Sequence, residues 1–421
     1  MSAAVETYRD EVDVSYSVDF VRDREPMKKR NRYPDYRRTG SGPSRVGGMH
    51  CRRHKRWTWG SGRGARLQNM RAFASCVAIA LASLAAPAFG VTFDFKTIGN
   101  PGNAGNAANA NLGAVSSIFQ MSSRETLNSQ YVEFLNSVDP TGANPNGIYD
   151  GNMTSQTTGG INFNSGAPNG SKYTVKPGAP AGSTPGNSYA NMPVNWLTWF
   201  SAARFVNWVN NGATPASSTE TGAYTLSGAT SGPIPARNPG ATYFLPSVNE
   251  WYKAGFHNAA AGTAGTYYTW PTTNNSTPVN TTSIAVMTGT AGVNAANYGG
   301  AATPSVSPLG GGSYYQTTSS YGLFDMLGNV TEFTDSQAGS TTPNIMGGNF
   351  LITTANIGNW NANAALRTAS SSLVSQGNGF RIAAVPEPAT IALAGIGITT
   401  LAGLEWMKRR KKKQALARSA G

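Results

Sequence analysis

Between Glu125 and Phe256 the apolar positions recur at helical spacing in three places. "ETLNSQYVEFLNSV" sets Leu127, Tyr131, Phe134, Leu135 and Val138 on one face, which predicts an amphipathic helix. "TWFSAARFVNWVNNG" stripes Ala202, Phe205, Val206 and Val209, with Gly212 just past its end. "LPSVNEWYKAGF" predicts a third helix, opened by Ser247 and Glu250 at the spacing of a capping box. Short runs such as "TYFLP", "YGLFDM", "NIMGGNF" and "GFRIAAV" predict strands or extended segments. Polar, glycine-rich stretches at 98–115, 141–190, 258–282 and 298–319 separate them. Aromatic residues spread between these stretches point to a compact core carrying long, packed loops. The expected fold class is α+β, rich in irregular structure.

Two further apolar runs lie outside this body. "MRAFASCVAIALASLAAPAFG" has a charged start, an apolar middle and small residues at Ala86-Pro87-Ala88 and Ala88-Phe89-Gly90. That order makes residues 70–90 a secretory signal. It predicts Met70 as the true start and residues 1–69 as a basic, disordered extension or a mis-assigned start. The second run follows Pro386-Glu387-Pro388 and extends uncharged from Ala389 to Leu404, before Trp406 and the basic cluster Lys408–Lys413. Sixteen helical residues reach about 24 Å, against a hydrocarbon core of about 30 Å. Trp406 and snorkelling lysines cover the deficit, so a membrane helix is expected over 389–407. The basic cluster stays cytoplasmic together with residues 414–421, and the body lies outside. Residues 385–413 resemble the PEP-CTERM sorting signal of bacterial exported proteins. That resemblance implies cleavage near Pro386-Glu387-Pro388 by an exosortase-type membrane protease and delivery to the envelope, outer surface or extracellular matrix.

Charge changes the picture once it is divided by region. The chain carries 33 Lys+Arg against 20 Asp+Glu, but 17 cations precede Ala72 and seven follow Met407. Residues 91–384 hold nine cations and ten anions, so the body lacks the basic stripe that nucleic-acid binding needs. Cysteine is more decisive. Cys51 lies in the extension and Cys76 in the signal, which leaves the exported body without disulfide, thiolate ligand or thiol nucleophile. "HCRRH" at His50–His54 falls in the same extension and is a poor ligand set. His257 is the body's one histidine, and no Gly-x-Ser-x-Gly elbow accompanies it.

Taken in order, "NMPVNWLTWFSAARFVNWVN", "RNPGATYFLPSVNEWYKAGF", "SYGLFDMLGNVTEF", "MGGNF", "ALRTAS" and "GNGFRIA" resemble the formylglycine-generating enzyme (sulfatase-modifying factor) family from about Glu125 to Ala384. The resemblance implies a single C-type-lectin-like domain over 91–384. Active members oxidise a client sulfatase cysteine using copper(I) held by two cysteines shortly after the Gly-Gly. Those positions fall near Ile352 and Ile357 here, and aliphatic side chains do not bind copper(I). No copper is expected. Relatives that use iron draw on histidines from another domain, and His257 alone does not build such a site.

The resemblance also implies a structural calcium ion at Asn329, Val330 and Glu332, whose oxygen donors crowd one turn as calcium requires. The same residues equally suit a left-handed turn at Asn329, with Glu332 accepting backbone N–H groups. Thr331 and Phe333 replace tryptophans that family members commonly carry. The family's other calcium site needs an acidic residue missing from "PSVSPLGGGSYYQTTS". Asp325 and Arg381 are expected to be buried hydrogen-bonding residues, and Arg367 is a weaker candidate for the ancestral groove. Three function classes follow: a non-catalytic binder of extracellular polysaccharide or protein, a structural matrix component, or an oxidoreductase acting on exported proteins with a different ligand set.

Overall fold

The computed structural model describes residues 90–179, 188–280, 294–299, 309–338, 342–362 and 366–386. Three helices organise them: α1, Asn128–Val138; α2, Trp199–Asn210; and α3, Val248–Phe256. Helix α1 buries Tyr131, Phe134 and Leu135 as its spacing predicts. At the start of α2, Thr198 Oγ1 accepts the Ser201 amide at 3.1 Å. The α3 capping box forms as expected, with Ser247 N donating to Glu250 Oε2 at 2.6 Å and Glu250 N donating to Ser247 Oγ at 3.2 Å.

The predicted stripe on α2, Ala202, Phe205, Val206 and Val209, is buried, and the burial extends beyond it. Residues Trp199 to Val209 are all buried, including Arg204 and Asn207, so this helix runs through the middle of the core. Arg204 reaches Glu220 at 2.7 Å, and Asn207 Nδ2 donates to the carbonyls of Thr219 and Tyr224. These bonds are what make burying polar groups on the second face tolerable. Phe205 is the centre of the packing. Its ring lies 5.7 Å from Tyr131, 5.4 Å from Phe134, 5.4 Å from Phe380 and 6.3 Å from Phe93.

The strands are short. In chain order they are β1 Phe95–Ile98, β2 Phe119–Ser122, β3 Ile161–Phe163, β4 Tyr173–Val175, β5 Tyr243–Phe244 and β6 Val279–Asn280. There follow β7 Ala295–Ala296, β8 Thr331–Ala338, β9 Thr342–Met346, β10 Arg367–Thr368, β11 Asn378–Gly379 and β12 Ala383–Ala384. One sheet has the order β1-β2-β12-β5 and a second the order β10-β9-β8-β11, with two two-stranded ribbons beside them. The fold is thus mixed helix and strand. "TYFLP" yields β5 and "NIMGGNF" yields the end of β9, while "GFRIAAV" is divided between β11 and β12.

"YGLFDM" forms no strand. Gly322, Asp325, Gly328 and Asn329 all take positive φ, between 54° and 81°, and such a chain turns repeatedly. The strand comes later, as β8. At Gly328 the turn also demands glycine for space, since a Cβ there would lie 2.2 Å from the Asn297 carbonyl oxygen.

Candidate functional site

The turns of 322–329 deliver Glu332 to the start of β8, inside the protein. Its carboxylate meets Arg381 side-on, Nε to Oε2 at 2.6 Å and Nη2 to Oε1 at 2.6 Å, with neither side chain exposed. Trp251, from α3, donates Nε1–H to the same Oε2 at 2.7 Å. Arg381 completes its fork on the carbonyls of Ser122 and Phe324. Burial works against the guanidinium's charge, and the adjoining Glu332 carboxylate outweighs it, so its pKa lies above the usual arginine value.

Asn329, left-handed as the turn reading expects, is hydrogen-bonded through both ends of its amide. Oδ1 accepts from Leu309 N at 2.8 Å and Asn297 Nδ2 at 3.2 Å. Nδ2 donates to Glu125 Oε1 at 3.1 Å and Leu309 O at 3.3 Å. Val330 beside it is wholly buried. Asn329 and Glu332 are thus engaged by different partners, and Glu332 accepts from the Trp251 and Arg381 side chains rather than from backbone amides. A calcium ion on Glu332 would compete with Arg381 and Trp251 for both carboxylate oxygens.

Two other buried carboxyls feel the charge of the same guanidinium. Glu125 is 1% exposed, and its Oε2 has no partner among the described residues. Burial, then the charge of Asp325, hold its pKa well above the carboxylate range. Asp325 accepts the Gly312 amide, and burial pushes its pKa up to about 6 against the opposing pull of that amide and Arg381. The expected buried, bonding role of Asp325 and Arg381 matches these contacts. Glu125 and Trp251 are not marked by any motif in the sequence. A usable signal existed: charges are so scarce in this body that each buried one needs a partner. The same logic covers Arg237, which bonds Asp335 at 2.6 Å and Glu250 at 2.7 Å.

The positions near Ile352 and Ile357, where the resemblance implies copper ligands, lie along the loop after β9. Gly347 and Gly348 turn the chain with φ of 88° and 70°, and a 3₁₀ segment follows over Thr354–Trp360. Ile357 is 6% exposed and packs with Trp270, Ala296, Tyr298 and Leu327, while Ile352 and Trp360 close over that cluster. Gly348 is pressed from the same side, since a Cβ there would lie 2.4 Å from Ile352 Cδ1. The structure thus brings both positions into one apolar group that offers no soft donor, and these residues do not fit copper(I). Arg367 flanks the loop, donating to Asn359 O at 3.1 Å with its guanidinium 5.9 Å from the Trp360 ring. His257 is fixed elsewhere, between Tyr321 Oη at 2.8 Å and Ala264 O at 3.0 Å. Among the described residues no cluster of three His, Cys, Asp or Glu side chains is arranged to hold a metal.

The model of the sulfatase-modifying factor enzyme 1-like domain matches residues 99–385. The chain belongs to that family. A second model, the PEP-CTERM protein-sorting motif, matches residues 384–411 directly behind it. The family domain is thus followed by a tail of the kind exosortase recognises, which marks the chain for export and association with the cell envelope or surface. Pro386 is the last described residue. Glu387, Pro388 and the expected helix 389–407 lie outside the described residues, as does the expected signal except for Gly90. Among the described residues no helix is long and apolar enough to cross a membrane.

Solved structures similar to the chain include Treponema denticola variable protein 1, at 17% identity and TM-score 0.42, covering 70% of this chain and 96% of that one. CarF is similar at 17% identity and TM-score 0.42, covering 70% of this chain and 99% of its own. PvdO from Pseudomonas aeruginosa is similar at 15% identity and TM-score 0.36, covering 70% and 93%. The curated proteins give no match.

Proposed function

We propose that this family member is a non-catalytic binding or structural protein of the cell surface or extracellular matrix. The observation that carries the proposal is the packing of Ile357 among Trp270, Tyr298 and Leu327 with Ile352 against them, near where the resemblance implies the copper ligands. Filling that place with aliphatic and aromatic side chains removes the soft ligands and the open coordination position that oxygen chemistry on copper needs. What persists is a rigid aromatic core bearing long polar loops, in a C-type-lectin-like arrangement suited to recognition.

In this proposal the exported body comprises residues 91–384, and residues 389–407 hold it at the membrane with Lys408–Lys413 inside. An exosortase cut near Pro386-Glu387-Pro388 then frees it or passes it to the surface. Its partner is an extracellular polysaccharide or protein. The test is a paired assay on the protein purified from the envelope of a producing bacterium. Retention on the producer's own extracellular polysaccharide or surface protein fraction, with no aldehyde formed on a cysteine-containing sulfatase peptide in air with copper(I), is the expected result. Dioxygen-dependent aldehyde formation, or no retention on either fraction, would overturn it.

A further inference from the structure

The junction between the expected signal and the body is described from Gly90 onward, and it changes character within one residue. Gly90 is exposed, whereas Val91 is 3% exposed and belongs to the main core. The chain is fastened from there on. Thr92 O accepts Gln130 Nε2 at 2.6 Å, and the Phe93 ring packs edge-on against Phe205 at 6.3 Å. Gln130 belongs to α1, and one turn further along the same face stands Glu133. A Cβ built on Gly90 would lie 3.5 Å from Glu133 Oε2, so the chain enters the body directly over that carboxylate. No described hydrogen bond or ion pair engages Glu133, and burial alone raises its pKa. An acid beside the exposed Gly90, with its own helix face bonded to the next residue but one, lacks only a cation.

We propose that export cuts the Gly90–Val91 bond and that the α-ammonium released on Val91 pairs with the Glu133 carboxylate. The cut is a hydrolysis by a leader peptidase. One water is consumed, the Gly90–Val91 C–N bond breaks, a carboxylate stays on Gly90 and the proton goes to the new Val91 amine. Ala88 and Gly90 supply the small residues at the third and first positions before the cut. The Val91 nitrogen is two bonds from the Gly90 Cα, within the swing of Glu133. A cut after Ala88 would leave Phe89-Gly90 attached and carry the ammonium up to about 7 Å along the chain. The mature amino terminus is therefore a built ion pair, formed only when the leader has gone.

N-terminal sequencing of the exported protein, followed by an NMR titration of its α-amine, tests both halves. The expected result is Val91 as first residue, with an amine pKa raised by about half a unit or more over the usual value of about 7.7–8.0. The rise should vanish in Glu133→Gln, a surface change that leaves the fold intact by circular dichroism. A first residue of Phe89, or any other, overturns the cut. An amine at its ordinary value, or a raised value that persists in Glu133→Gln, overturns the pairing.

Discussion

Arg381 and Glu332 face each other through two 2.6 Å hydrogen bonds with neither side chain reaching solvent. They come from β8 and from the turn before β12, so the pair ties the second sheet to the first. Removing one partner leaves the other charged and buried. Arg381→Met is expected to lower stability by about 3–5 kcal/mol, whereas Arg381→Met combined with Glu332→Leu should recover much of that loss. Urea unfolding of the three proteins gives the comparison. A single variant as stable as the parent would show that the pair does not fasten the sheets.

Calcium and the guanidinium seek the same oxygens of Glu332. With Arg381 and Trp251 already bonded there, a chelator should leave the melting temperature of the metal-free-buffered protein unchanged, and added calcium should not raise it. Binding only to the native state would stabilise it by an amount set by ligand concentration and Kd. A midpoint that falls with chelator and returns with calcium, but not in Glu332→Gln, would establish the ion at Asn329, Val330 and Glu332.

Asp325 gives the pH dependence a definite sign. Its folded pKa of about 6 exceeds the unfolded value of about 3.9, so the native state keeps a proton that the unfolded chain has lost. The contribution is full below about pH 4 and is lost as pH rises through 6. Asp325→Asn, which retains an acceptor for the Gly312 amide, should remove this slope and gain on the order of 1–3 kcal/mol over the parent at pH 7. His257 acts oppositely. Burial lowers its pKa, so stability falls as pH drops below about 6.5 through the folded value. Denaturant titrations between pH 4 and 8 resolve the two, and parallel parent and Asp325→Asn curves would refute the assignment.

The three helices were legible because each needed only local information: a 3.6-residue stripe, a capping box, a glycine stop. The full burial of α2 was not legible. A stripe records the face that must be apolar, and it is silent about Arg204 and Asn207, whose burial depends on partners at Glu220 and Thr219. "YGLFDM" misled for a related reason. Its composition favours a strand, but Gly322 and Asp325 take positive φ, and the Asp325 carboxylate is held by the Gly312 amide of a separate loop. At the site, Asn329 and Glu332 drew notice because turn and acceptor residues crowd one short stretch of sequence. Glu125 and Trp251 reach the same place from other elements, and no spacing rule links them. The missing thiols were legible outright, since an inventory needs no geometry.

That inventory leads to the last prediction. Ile352 and Ile357 stand on one loop against one apolar cluster, near the two positions where the family resemblance implies copper ligands. The doubly substituted chain, Ile352→Cys with Ile357→Cys, should therefore take up one copper(I) per chain from a competing colorimetric chelator, while the parent takes none. Loss of buried isoleucine at 357 should cost about 1–3 kcal/mol in the metal-free variant. Copper should return part of it, because a ligand that binds the folded state shifts unfolding to higher denaturant. If the parent chain itself withdraws copper stoichiometrically, the soft ligands lie elsewhere and the non-catalytic proposal fails. If the double variant folds yet binds none, the two positions do not converge as the apolar cluster indicates.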